Sequence, residues 1–106
     1  MSNTYVNAKV DLTTTNITTL YTCAALTTGI VKSIIVSEDS NNADTITLTI
    51  TDASSAVFSI YKTKAVSANG TVELLTAPLV VQASEILKVT AATANRLHVV
   101  ASILEI

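Results

Sequence analysis

Thr45-Ile46-Thr47-Leu48-Thr49-Ile50-Thr51 alternates without a break, every apolar residue pointing one way and every threonine the other. Period two over seven residues is the signature of a half-buried β-strand. The rest of the chain repeats the theme less strictly. Val6, Ala8, Val10 and Leu12 alternate with Asn7, Lys9 and Asp11, predicting a second strand, and Ile17–Cys23, Ile30–Ser37 and Val57–Lys62 predict three more. Threonine, valine and isoleucine dominate throughout, and all three are stiff at χ1 and suit a pleated surface.

Turn signals punctuate these runs. Ser37–Asp44 (SEDSNNAD) is a polar loop, and Asp52-Ala53-Ser54-Ser55 is a tight connection. Asn69-Gly70 reads as a hairpin, because both residues tolerate the positive φ that a type I′ turn needs twice. Pro78 lacks an N–H and belongs at a strand start or on a sheet edge. Further turns fall at Gln82–Glu85 and Ala94-Asn95. About eight to ten short strands with turns every ~8–12 residues predict an all-β antiparallel sandwich, jelly-roll-like, in one domain over residues 1–106. A parallel sheet needs crossovers of a dozen or more residues, for which there is no room. Residues 1–4 are expected to form a flexible arm.

The chain of 106 residues has 49% apolar residues but only 13% charged ones, with a formal net charge of −2. Eighteen threonines outnumber its fourteen charged side chains. That composition supports a core and excludes disorder. A single cysteine, Cys23, leaves no internal disulfide. The start has neither a basic nor an apolar region of a secretory signal, so synthesis in a cytoplasm is expected, and no run reaches the ~18 apolar residues of a membrane span.

Little chemistry is legible. Cys23 and His98 are the sole thiol and imidazole, with no orienting carboxylate or nucleophile elbow nearby, so they read as a core filler and a structural hydrogen-bonding residue. One Cys and one His cannot supply the ligands of zinc. Glu38, Asp39 and Asp44 could contact calcium, but without EF-hand spacing or a turn glycine they read as a solvated acidic loop. No Gly-rich phosphate loop exists, and the thinly spread Lys9, Lys32, Lys62, Lys64, Lys88 and Arg96 make no nucleic-acid groove. Tyr5, Tyr21, Phe58 and Tyr61 are too dispersed for a stacking platform. No enzyme, metal, cofactor, nucleic acid or membrane is therefore expected.

The surface carries the functional signal instead. A free-standing small domain shows about 25–35% charge on its surface and guards its strand edges with lysine and proline. This chain is too poor in charge for that. In the C-terminal run, Leu97, Val99, Ala101 and Ile103 occupy one face, and His98, Val100, Ser102, Leu104 and Ile106 the other. Two apolar faces imply burial on both sides. Leu97, Val99, Val100, Leu104 and Ile106 are accordingly the candidate interface of a homo-oligomer.

The segments TYVNAKVDLTTTNITTLYT (Thr4–Thr22), ITLTITDASSAVFSIYK (Ile46–Lys62) and ILKVTAATANRLHVVASILEI (Ile86–Ile106) resemble small structural proteins of tailed bacteriophages. The resemblance implies a β-sandwich on the virion, commonly trimeric, that decorates or cements the capsid or belongs to the tail, neck or a fibre. Its implied partners are copies of itself and the major capsid protein or other virion proteins. A glycan-binding module using the loops Ser37–Asp44 and Ala94-Asn95-Arg96 is the alternative from another class.

Overall fold

A computed structural model describes residues 3–106, and the strands follow the alternation closely. The elements are β1 (Thr4–Leu12), β2 (Thr18–Thr22), β3 (Gly29–Glu38), β4 (Asp44–Thr51), β5 (Val57–Val66), β6 (Thr71–Glu73), β7 (Leu79–Val81), β8 (Ile86–Ala91) and β9 (Leu97–Glu105). All pairings are antiparallel. One sheet runs β1-β9-β3-β6, with β7 also paired to β3, and the other runs β2-β8-β4-β5. With β6 and β7 taken as one interrupted strand, this is the eight-strand arrangement of a jelly roll, in which two interleaved Greek keys form facing sheets.

The core fills the space between the sheets. Val31, Val36, Ile46, Leu48, Leu87, Val89, Leu97 and Val99 are wholly buried there, each contributing roughly 1.5–3 kcal/mol relative to exposure. In β4, Ile46 and Leu48 point inward while Thr45, Thr47 and Thr49 lie half-exposed outside.

Three local expectations are corrected. Asn69-Gly70 is not a type I′ hairpin. Only Asn69 has positive φ (55°), and the turn is closed by the Gly70 N–H donating to the Ser67 carbonyl at 2.8 Å. The flanking strands belong to different sheets, β5 beside β4 and β6 beside β3, so the chain crosses the sandwich here. Secondly, Glu38 is not solvated. It is 2% exposed, and its carboxylate accepts from the Ser40 N–H (2.6 Å), the Asn69 N–H (2.8 Å), the Asn42 N–H (3.1 Å) and the Ser40 hydroxyl. Asp44 is buried as well and accepts from the Thr93 N–H at 3.1 Å. Thirdly, Thr4 is already paired with Glu105 in β1. The rest of the expected N-terminal arm includes Met1 and Ser2, which lie outside the described residues.

Pro78 does sit immediately before β7, on a sheet edge, and Asp52 builds its tight connection by accepting from the Ser54 and Ala56 N–H groups, both at 2.9 Å.

Candidate functional site

The outer faces of the two sheets differ in particular rows. Across the four-stranded sheet, register places Thr19, Lys88, Thr49 and Ser59 side by side, all polar. Across the five-stranded sheet, register places Tyr5, Leu104, Ile30 and Val80 side by side. Tyr5 is 76% exposed and Val80 52%. A second row sets Lys9, Val100, Ile35 and Glu73 next to one another, with Val100 and Ile35 each about two-fifths exposed. One apolar row thus spans the width of an outer face that no described element covers, and the polar row Asn7-Ser102-Ser33 separates it from Val100 and Ile35, which stand between Lys9 and Glu73. Exposed apolar residues grouped in this way, rimmed by polar ones, are a feature of interaction surfaces on soluble domains.

A bulge in β3 makes this face. Pairing with β9 shifts between Val31 and Ser33, so Ile30 and Ile35, which differ in parity, both point outward. Beside the bulge, Glu73 closes the gap between β6 and β7. Its carboxylate accepts from the Ile34 N–H (2.8 Å), the Leu75 N–H (3.1 Å) and the Ser33 hydroxyl. Burial raises its pKa, but these donors outweigh burial and hold it below the usual carboxylate value.

The interface residues expected from sequence divide between the faces. Leu97 and Val99 are wholly buried against the other sheet and belong to the core, so they are unavailable to a partner. Val100, Leu104 and Ile106 lie on the outer side, Val100 and Ile106 each 40% exposed, and Ile106 is paired through its backbone with Thr28. Tyr5, Ile30, Ile35 and Val80 join them. The available signal for Ile30 and Ile35 was the apolar stretch Ile30–Val36, which Lys32 and Ser33 interrupt.

The polar candidates are separated or engaged. Cys23 is buried, its thiol donating to the Thr27 carbonyl at 3.3 Å. His98 stands on the outer face between two aspartates, Nε2 3.2 Å from Asp11 and Nδ1 3.4 Å from Asp39. A protonated ring donates to both carboxylates and a neutral ring to one. Among the described residues no three His, Cys, Asp or Glu side chains cluster to hold a metal ion. The loops proposed for sugars do meet, Arg96 Nη1 donating to the Ala43 carbonyl at 2.8 Å. The amides of the first loop are engaged, however, Asn42 Nδ2 donating to the Ser40 carbonyl and Asn41 Oδ1 accepting from Asn69 Nδ2. No helix among the described residues is long and apolar enough to cross a membrane.

Comparison with known proteins adds the fold alone. No family model matches the chain, and no curated protein matches its sequence, so no enzyme family is indicated. Among solved structures it is similar to a chain in the structure of infectious bursal disease virus, Gt strain, with a TM-score of 0.50 and 8% identity. That match covers 99% of this chain and 30% of the viral one, so the present chain spans under a third of its neighbour's length.

Proposed function

We propose that this chain is a structural protein of a virion, and specifically a decoration (cement) protein that binds the outside of a bacteriophage head as a homotrimer, assembling in the host cytoplasm. The observation that carries the reading is the apolar row Tyr5-Leu104-Ile30-Val80, with Val100 and Ile35 beyond it, on the outer face of one sheet, against the polar row Thr19-Lys88-Thr49-Ser59 on the other. Support also comes from the jelly roll, an architecture frequent in viral coats, and from its likeness to a chain of a virus particle.

A cement protein works through contact area summed over many copies and needs no reactive group. An interface built from tyrosine, valine and isoleucine avoids the desolvation cost of burying ions. The apolar face serves contacts among copies and with the major capsid protein, and its association depends weakly on salt because few ion pairs take part. A position in the tail, neck or fibre base uses the same surface.

Light scattering on the purified chain tests the oligomer, the expected species being a trimer at micromolar concentration. Val100→Lys, which places a further charge on this face, abolishes the trimer without lowering the thermal midpoint. A wild-type chain that stays monomeric overturns the reading. Imaging of virions that carry the chain tests its place: density on the head is expected, and density along the tail selects the alternative.

A further inference from the structure

Three of the four lateral edges of the sandwich are closed to a further strand. β2 has five residues, with a register shift between Thr19 and Tyr21. β5 is longer, but its register against β4 slips twice, and Thr63 takes a φ of 52° between Lys62 and Lys64. β6 and β7 have three residues each, and the Glu73 carboxylate occupies the backbone donor between them. Bulges, lysines and short strands are the devices by which natural sheets prevent edge-to-edge addition.

β1 has none of them except Lys9. Its nine residues match β9 one for one with no shift, it contains no proline, and among the described residues no strand pairs with its other side. Its side chains are also self-complementary. In an antiparallel pair of β1 strands with Val10 opposite its own copy, Lys9 of each chain faces Asp11 of the other. Asp11 is already placed on that face by His98 Nε2 at 3.2 Å. Sliding the pair to set Lys9 against its own copy opposes like charges, so the charges select the register.

We propose that β1 is the edge at which a second copy of this chain adds, β1 against β1 about a two-fold axis at Val10, merging two five-stranded sheets into one continuous sheet. With the other edges closed, head-to-tail addition has no receiving strand, which leaves the isologous contact. The edge contact is separate from the sheet-face contacts proposed for the trimer, and it joins one trimer to the next.

Sedimentation and hydrogen exchange on the full chain test it. Lys9→Asp sets a carboxylate against Asp11 of the other copy at two symmetric positions and weakens the two-fold association by roughly tenfold. Lys9→Asp with Asp11→Lys restores the opposite charges and the association. Amides on the outer side of β1 are protected in the wild type at concentrations where copies associate, and exposed in Lys9→Asp. A Lys9→Asp variant that associates as tightly as the wild type overturns the proposal. So does a wild-type trimer whose outer β1 amides exchange freely, although that result leaves the face contacts standing. A monomeric wild type overturns both.

Discussion

The hydroxyl of Tyr21, on β2 of one sheet, donates to Oε2 of Glu105, on β9 of the other, at 2.5 Å. The shift in β2 pairing permits it, because Leu20 and Tyr21 are consecutive and both buried. Burial first, and then the bond to Glu105, push the phenol well above its usual pKa, so it remains a donor at any physiological pH. Tyr21→Phe keeps the ring and removes the bridge. The expected loss is about 1.5–3 kcal/mol, the range for hydrogen bonds to charged groups, read by urea denaturation. A loss under a few tenths of a kcal/mol would show that Glu105 finds another donor at no cost.

Gly29 lies beneath the same ring. A Cβ there meets Tyr21 Oη at 2.9 Å and Cε2 at 3.0 Å, closer than real contacts allow. Gly29 does not have positive φ, so the constraint is steric and not conformational. Gly29→Ala is expected to destabilise by about 1–3 kcal/mol, as overpacking does. The cost should shrink in a Tyr21→Leu background, which a double-mutant cycle measures. Equal cost in both backgrounds would place the clash elsewhere.

Glu38 ties two loops together through its buried carboxylate. Burial raises its pKa, but the Ser40 hydroxyl and the N–H groups of Asn69, Ser40 and Asn42 outweigh that and bring it down to about 2. With the folded value below the ordinary 4.5, the stabilisation is complete above pH 4.5 and is lost as pH falls toward 2. Glu38→Gln is therefore less stable than the wild type at pH 6, and the gap closes on acidification. Unfolding free energy followed from pH 6 to pH 2 in both proteins checks this, and a constant gap would count against it.

Thr51 is 7% exposed, and its hydroxyl has no hydrogen-bond partner among the described residues. Thr51→Val keeps the shape and removes the buried polar atom. A gain of about 1 kcal/mol is expected in chemical denaturation. A loss would mean that the hydroxyl is satisfied in solution.

The strands were legible wherever side chains alternate undisturbed. Thr45–Thr49 is the clearest case, because Ile46 and Leu48 meet the core while Thr45, Thr47 and Thr49 lie half-exposed. The candidate face was legible only in part. Val100 and Leu104 stood out because their run is apolar on both sides, yet Leu97 and Val99 looked equivalent to them until pairing with β1 and β3 set which side faces inward. Ile30 and Ile35 were hidden by the bulge between them, since one inserted residue changes which parity faces out. Glu38 misled for a different reason. A carboxylate in a polar run reads as solvated, and its four donors include Asn69, thirty-one positions away. Asn69-Gly70 misled because local turn chemistry carries no information on whether the flanking strands share a sheet.

β9 lies at the heart of its sheet, between β1 and β3, and β1 has no other neighbour there. On the ribosome, Thr4–Leu12 therefore emerges first of the nine strands and waits for Leu97–Glu105, the latest of them, before it can pair. Folding of this half is postponed until Leu97–Glu105 has been made, and contacts so distant along the chain form slowly. A product that stops before β9 lacks the hub of the five-stranded sheet. The outer edge of β1 is thus a surface that only a chain carrying β9 presents.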